Sequence, residues 1–364
     1  MLLTTRQCAN RDRGHHFRKM PARLACTPVC RETPPMRLLR YLTLALVVLA
    51  TLTVFFFYKG DIPKDVVDAR YTSPTSQFLT LENGARVHFR DEGNFRGPTI
   101  VLIHGSNASL HTWEPWVAEL GDRFRIVSLD LPAHGLTGAV PDGNYTMAAY
   151  VATVRAIVEH LSLDSYYLGG NSMGGGVTWR YTLDHADEVR GMLLINASSP
   201  RAWREQSRTE ENNREAPLVF SLLQAPWFRA VANRLDPYYL VKQGLESAYN
   251  HSPVVNEQLI MRYYDLALRA GSREATLARF SAPRDTSPVD LSVLTMPALV
   301  MWGREDALIP VSVADDFEAA LPNTEVVIYD DVGHVPMEEI PARSAADIAG
   351  FIEASEALAN PAGT

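Results

Sequence analysis

One serine of the chain lies in a glycine-rich turn that could support nucleophilic chemistry. Residues 170–174 read Gly-Asn-Ser-Met-Gly, and they stand between a short apolar run and a segment with helical character. A sharp strand-turn-helix connection holds such a serine exposed on a strained backbone. The start of the following helix favours negative charge that develops beside the serine. Ser172 is therefore the candidate nucleophile.

A histidine and an aspartate further along the chain could activate this serine. A serine hydroxyl is a weak nucleophile near neutral pH, so it needs a general base and an acid that orients the base. His334 lies on a loop just after the last apolar run, and Asp306 lies just after the run before it. Glu305 and Asp330 are rival acids. We favour Asp306, because Glu305 precedes the turn position and Asp330 still belongs to a predicted strand.

Acyl transfer also needs backbone N–H groups that stabilise a developing oxyanion. One donor should be the residue directly after the nucleophile, Met173. The second is expected from the loop after the apolar run that ends at His104, and Ser106 is our choice. We interpret His104 as a brace for this loop and not as a catalytic base.

The elements that must position these residues are predicted as a parallel sheet covered by helices. Short apolar runs that end at glycine or polar residues are typical of strands buried on both faces. Helical segments alternate with them, as in repeated strand-helix-strand units. The predicted strands are residues 99–104, 125–130, 166–170, 191–196, 298–303 and 325–330. Before them, an alternating pattern around Asn83-Gly84 predicts a hairpin with a two-residue turn.

The segment 198–290 interrupts this alternation. It contains helical stretches and many aromatic residues but no convincing buried strand. A connection of that length should carry its own structure. We therefore predict a helical cap over the carboxyl edge of the strands, where open α/β sheets bind ligands.

Composition narrows the class of protein. Apolar residues make up 46% of the 364 residues, which is typical of a globular chain. The first 64 residues hold 11 Lys/Arg and 3 Asp/Glu, which leaves the rest of the chain at −16, so no nucleic acid is expected as a partner. The three cysteines, Cys8, Cys26 and Cys30, all precede the body, so a disulfide framework, a zinc site and a cysteine nucleophile are not expected there.

An apolar segment near the N-terminus predicts a membrane anchor. Residues 41–58 carry no charge, and a helix of that length spans about 27 Å. A cleavable signal peptide is the competing interpretation, although its apolar stretch is usually about 7 to 15 residues. Nine Lys/Arg against two acids precede the segment, which places the N-terminus in the cytoplasm and the catalytic body on the outer side. Met36 could also be the true start of the chain.

These features predict five regions along the chain. They are a basic, disordered leader at 1–37, a transmembrane anchor at 38–59, a linker at 60–75, an α/β core at 76–197 and 291–357, and the cap at 198–290.

Five ordered motifs carry a resemblance to a known family. They are the His-Gly turn at 104–105, the D-x-P-x-x-G segment at 130–135, the G-x-S-x-G turn at 170–174, the P-x-L-V-x-x-G-x-x-D segment at 297–306 and the Gly-His pair at 333–334. From about residue 78 to 357 the chain resembles the α/β-hydrolase fold superfamily with a cap domain. The resemblance implies a triad of Ser172, Asp306 and His334, with oxyanion donors at Ser106 and Met173. Ala133 departs from the family pattern, which commonly has glycine there.

The resemblance also limits the reaction. Family members that open epoxides or remove halides use an aspartate at the nucleophile position, so Ser172 disfavours both. We expect a membrane-anchored serine hydrolase that acts on a small ester-like substrate and uses no metal or cofactor. A carbon-carbon bond hydrolase, a lactonase or a perhydrolase of the same fold is the alternative, and a non-catalytic binding protein is a further one.

Overall fold

The structure, a computed structural model, describes residues 34–201, 233–283 and 287–359. The chain divides into two compact units, residues 1–53 and 54–364. Because the description begins at residue 34, most of the predicted leader lies outside the described residues. The same is true of positions 202–232 in the predicted cap.

The first described element is a long apolar helix, α1, at Pro34–Phe57. Its part Leu38–Phe57 is long and apolar enough to cross a membrane, and none of that part is buried within the protein. Apolar side chains such as Leu46, Phe55 and Phe56 are largely exposed. The structure thus contains one apolar helix at the position of the predicted anchor.

The body of the protein is built on an eight-stranded sheet with strand order β1-β2-β4-β3-β5-β6-β7-β8. Strand β2 is antiparallel to β1 and β4, and the pairs from β4 to β8 are parallel. The strands are β1 Ser76–Thr80, β2 Arg86–Gly93, β3 Thr99–Ile103, β4 Arg125–Leu129, β5 Tyr166–Asn171, β6 Val189–Ile195, β7 Ala298–Gly303 and β8 Thr324–Tyr329. The predicted sheet of mostly parallel strands is confirmed.

Helices cover both faces of the sheet, because alternate residues of each central strand point to opposite sides. In β3, Val101 and Ile103 belong to one apolar cluster, whereas Ile100 and Leu102 belong to the other. Outside the cap, the described helices of the body are α2 Lys64–Tyr71, α3 Glu114–Leu120, α4 Met147–His160, α5 Met173–Asp184, α9 Val313–Ala320, α10 Pro336–Glu339 and α11 Pro341–Ala359.

The hairpin at the start of the body differs slightly from its prediction. Gly84 takes a positive φ of 78°, which glycine adopts without strain. The N–H of Leu81 donates to the carbonyl of Ala85 at 2.9 Å, so the loop contains three residues. The predicted two-residue turn is therefore one residue longer in the structure.

The segment predicted as a linker, residues 60–75, contains helix α2. Val67 on this helix is 1% exposed and packs with Leu136 and Leu266. Asp68 accepts a hydrogen bond from Arg269 Nε at 2.7 Å. The segment is therefore part of the packed body, because one apolar side chain and the ion pairs of Asp68 with Arg269 and of Arg70 with Asp265 fix its helix.

The described part of the predicted cap is helical. Between β6 and β7 it contains α6 Tyr238–Ala248, α7 Glu257–Leu268 and α8 Ser272–Phe280. The cap region also contacts the segment that follows α1. Tyr58 pairs with Leu235, and Ile62 pairs with Arg269, in isolated β-bridges. The aromatic residues at positions 203–228 lie outside the described residues.

Candidate active site

The candidate residues all follow carboxyl ends of parallel strands. Ser106 comes after β3, and Ser172 directly follows β5. Asp306 comes after β7, and His334 comes after β8. Since these strands run in the same direction, their carboxyl ends meet at one edge of the sheet. The topology thus brings residues that are far apart in sequence to one place.

Ser172 lies on a strained turn between β5 and α5. Its φ of 55° and ψ of −119° are uncommon for a residue with a side chain. The turn is held because Ser172 N–H donates to Ile195 at 3.0 Å and Ser198 N–H donates to the Ser172 carbonyl at 3.0 Å. The small residues beside it are required: a Cβ added at Gly174 would lie 2.1 Å from the Ile103 carbonyl oxygen.

His334 and Asp306 form a direct hydrogen bond. His334 Nδ1 lies 2.7 Å from Asp306 Oδ2, and both residues are buried. Because the carboxylate is an acceptor, Nδ1 carries the proton and Nε2 is left as the basic nitrogen of the ring. This is the tautomer that a general base requires.

Three further donors fix the Asp306 carboxylate. Asn196 Nδ2 donates to Oδ2 at 2.7 Å, and the N–H groups of Leu308 and Ile309 donate to Oδ1 at 2.8 and 3.0 Å. Burial opposes ionisation of Asp306, but the hydrogen bonds from His334, Ile309 and Asn196 outweigh it and lower its pKa. Asp306 therefore remains a carboxylate at neutral pH.

The backbone of His334 is fixed from three sides. Its N–H donates to Ala248 at 2.7 Å, and its carbonyl accepts from Asn171 Nδ2 at 3.0 Å. The Glu339 carboxylate accepts the N–H of Gly333 at 3.0 Å and that of Val335 at 3.3 Å. Since Asn171 directly precedes Ser172, the histidine loop is connected to the nucleophile turn.

Ser172 and His334, which are both described, form no hydrogen bond with each other through their side chains in this structure. In enzymes without substrate this contact is often long and closes in the complex. The rival acids are placed elsewhere: Asp330 is exposed and pairs with Arg304, and Glu305 is exposed.

Ser106 and Met173 are the two predicted oxyanion donors, and both lie near the candidate nucleophile Ser172. Neither N–H donates to a backbone carbonyl of the described residues. Gly105 lets the Ser106 loop approach, since a Cβ added there would lie 3.2 Å from Ser172 Cβ. His104 joins this loop to the next one, because Leu131 N–H donates to its Nε2 at 3.1 Å.

A cavity of about 930 Å³ opens at Ser172. This volume is within the range of about 300 to 1,000 Å³ typical of sites for small molecules. Ser106 and Met173 also line it, together with side chains of the cap helix α8 and apolar residues that follow β7. Among the described residues no cluster of three His, Cys, Asp or Glu side chains could hold a metal ion.

A second Ser-His-Asp arrangement lies in the core. His88 Nε2 is 2.8 Å from Ser76 Oγ, and His88 Nδ1 is 2.7 Å from Asp130 Oδ2. Asp130 also accepts the N–H groups of Leu110 and Leu136, so it ties three loops together. Ser76 does not line the cavity at Ser172, and we interpret this arrangement as structural.

Sequence reasoning missed several residues of the site. Asn196 and Asn171 donate hydrogen bonds to Asp306 and His334, and Glu339 fixes the loop that carries His334. Asn196 directly follows β6, and a polar residue at a strand end was a signal that could have indicated it. Arg279, on the cavity wall, gave no signal because the path of the cap chain is not visible in the sequence.

Comparison with known proteins identifies the family. The family model of the alpha/beta hydrolase fold matches residues 98–341 of the sequence, so the chain belongs to this family. The predicted resemblance is thereby confirmed, and the protein is a hydrolase by fold and by the names of its relatives.

Three similar proteins illustrate the breadth of this family. An uncharacterized protein of Mycobacterium tuberculosis is 27% identical over 297 residues, covering 78% of this chain and 82% of the relative. Haloalkane dehalogenase 2 of the same species is 26% identical over 277 residues, covering 72% and 90%. The crystal structure of a membrane phospholipase A superposes with a TM-score of 0.61 at 22% identity, covering 88% of this chain and 99% of that one.

Proposed function

We propose that this protein is a membrane-anchored serine hydrolase that cleaves a carboxylic ester, or a related acyl bond, through an acyl-enzyme on Ser172. One observation carries the proposal: His334 is bonded to Asp306 at the sheet edge where the strained Ser172 turn opens into a cavity. The proposed catalytic triad is Ser172, His334 and Asp306.

In the acylation step, His334 Nε2 takes the Ser172 hydroxyl proton while Oγ attacks the carbonyl carbon of the substrate. The resulting oxyanion accepts hydrogen bonds from the N–H groups of Ser106 and Met173. His334 then gives its proton to the oxygen of the leaving alcohol as the carbon-oxygen bond breaks. The alcohol leaves, and the acyl group remains on Ser172.

In the deacylation step, a water molecule takes the place of the alcohol. His334 accepts a proton from the water as the water oxygen attacks the carbonyl carbon of the acyl-enzyme. The proton then passes to Ser172 Oγ as the bond between Oγ and the acyl carbon breaks. The products are a carboxylic acid and the free enzyme. Because its pKa is lowered, Asp306 remains ionised throughout and stabilises the imidazolium that forms in both steps.

The residue at the nucleophile position separates this reaction from that of the dehalogenase relative. Halide removal in this fold uses an aspartate, whose carboxylate attacks carbon directly. Ser172 instead needs a base, and the His334–Asp306 pair provides one. An acyl compound is therefore favoured over a haloalkane.

The anchor of this enzyme is assigned to helix α1. Its length and composition support a membrane span, and a membrane phospholipase A shares this fold. The basic flank before the helix favours a cytoplasmic N-terminus and a catalytic body on the outer side. Activity of alkaline phosphatase fused to the C-terminus, in an oxidising compartment, would support this topology, and fluorescence of a cytoplasm-only reporter would contradict it.

Ester turnover tests the proposal. p-Nitrophenyl esters of graded chain length should be cleaved, and Ser172→Ala or His334→Ala should lower kcat by about 10³-fold or more. His251→Ala, which changes an exposed histidine of the predicted cap, is the matched control and should retain the wild-type rate. Equal rates in wild type and Ser172→Ala would contradict the proposal.

A further inference from the structure

Two polar side chains on the wall of the cavity at Ser172 have donor groups without partners among the described residues. They are Arg279, on the cap helix α8, and Tyr150, on α4. Arg279 Nε and the Tyr150 hydroxyl are buried and form no hydrogen bond with the described residues. Buried polar atoms are normally satisfied, so an exception at a cavity indicates a missing ligand or water.

Within the described part of the chain, the guanidinium of Arg279 has only neutral partners. It donates to Ser106 Oγ and to Asn107 Oδ1, both at 2.7 Å. Its Nη1 also lies 3.9 Å from Met173 Sδ. Arg279 therefore contacts side chains of the two residues whose N–H groups form the proposed oxyanion hole, which places its charge close to the scissile carbonyl.

No carboxylate among the described residues neutralises this charge. Arg90 and Arg269 are buried as well as charged, but they pair with Glu114 and Asp68. Burial lowers the pKa of Arg279, and among the described residues only the Tyr150 hydroxyl acts against that effect. An arginine remains protonated in proteins, so the cavity wall holds a positive charge that the described residues leave uncompensated.

Tyr150 adds a second donor to the same wall. The residue is 3% exposed, and burial raises the pKa of its hydroxyl, which therefore stays protonated. The cavity also contains acids at its α9 side, of which Asp316 is already bonded to Ser199 and Arg201. The positive and negative groups thus lie on different elements of the cavity wall.

We propose that Arg279 and Tyr150 form a subsite for an anionic oxygen group of the substrate, a carboxylate or a phosphate, carried near the scissile acyl bond. This inference rests on the proposed function, because the subsite is defined relative to Ser172. The planar guanidinium matches the oxygens of either group, and hydrogen bonds of this kind are about twice as strong as neutral ones. The anionic group belongs either to the acyl part or to the leaving alcohol of the substrate.

Two pairs of substrates distinguish these sources. In the first pair, monoethyl adipate carries a carboxylate in its acyl part, and ethyl adipamate is its neutral isostere. In the second pair, 1-butanoylglycerol 3-phosphate carries a phosphate in its leaving alcohol, and 1-butanoylglycerol is the neutral member. Wild-type enzyme should cleave the anionic member of at least one pair with a kcat/KM about 10-fold or more above that of its neutral partner.

Variants distinguish two roles of Arg279, which are recognition of the substrate anion and positioning of the loop that carries Ser106. Arg279→Gln should remove the preference for the anionic ester, Tyr150→Phe should reduce it, and Arg279→Lys should retain part of it. Arg96→Gln removes the same charge from an exposed loop and should leave the preference intact. No preference in the wild type, or equal losses on both members of a pair in Arg279→Gln, would overturn the subsite.

A binding measurement keeps this inference separate from the catalytic proposal. Calorimetry should detect adipate or glycerol 3-phosphate binding to the full chain, and at least about 10-fold weaker binding to Arg279→Gln and to Tyr150→Phe. If no ester is cleaved but this difference is found, the subsite stands and the proposed hydrolysis fails. If esters are cleaved through Ser172 and neither anion binds, the subsite is wrong and the proposed function stands.

Discussion

Replacing Glu338 with glutamine should change the pH dependence of stability. Glu338 lies on α10, four residues after His334, and is 8% exposed. Burial raises its pKa from 4.5 to about 7, although hydrogen bonds from Thr112 and Tyr249 and the charge of Arg262 act in the opposite direction. The other ionisable groups that face it are Glu114 and Tyr263.

The sign follows from the direction of the shift. A carboxyl whose pKa is raised in the folded state binds its proton more tightly there than in the unfolded chain. Its contribution to the free energy of unfolding is fully present below about pH 4.5 and is lost by about pH 7. The shift of about 2.5 pH units corresponds to about 3 kcal/mol.

Urea unfolding at pH 5 and pH 8 measures this effect. Glu338→Gln cannot ionise, so its free energy of unfolding relative to wild type should rise by about 2 to 3 kcal/mol between the two pH values. Glu82→Gln changes an exposed acid of the hairpin turn and serves as the control. Parallel curves for wild type and Glu338→Gln would refute the reasoning.

Three further predictions concern the acid, the nucleophile turn and the N-terminal segment. Asn196→Ala removes a 2.7 Å hydrogen bond to the proposed acid and should lower kcat about 10-fold with little change in KM, as steady-state kinetics on an ester would show. Gly174→Ala should lower the free energy of unfolding by about 3 kcal/mol, because the added Cβ meets a backbone oxygen at 2.1 Å. Gly176→Ala, whose nearest contact is 3.7 Å, should stabilise helix α5 by up to about 1 kcal/mol, and equal unfolding midpoints for the two variants would contradict this account. A chain that begins at Tyr58 should be soluble and fully active, whereas one that begins at Asp65 loses the bonds of residues 59–62 to the cap and should melt at a lower temperature.

The sequence predicts the parallel sheet well because the strand signal is local. Buried strands such as β5 and β7 are continuous apolar runs, and each ends at the polar or glycine residue that the chemistry needs. The order of Ser172, Asp306 and His334 along the chain then suffices to indicate which loops meet. These parts of the site depend on short segments that can be examined one at a time.

The remaining features depend on contacts between distant segments. Arg279 and Ser106 are 173 positions apart, and Asn171 and His334 are 163 positions apart. Nothing in the pattern around Arg279 shows that no acid of the described residues pairs with it. The helix α2 was also missed, since its eight residues are fixed by one buried valine and by ion pairs to the cap.

Covalent labelling of the nucleophile tests the central claim most directly. A fluorophosphonate should add to the wild-type chain at one site, which peptide mass spectrometry should identify as Ser172, because the base-activated hydroxyl attacks phosphorus as it attacks an acyl carbon. Ser76→Ala should label like wild type, although Ser76 also lies beside a histidine and an aspartate. Ser172→Ala should not label at all. Labelling that persists in Ser172→Ala, or that maps to Ser76, would contradict the account.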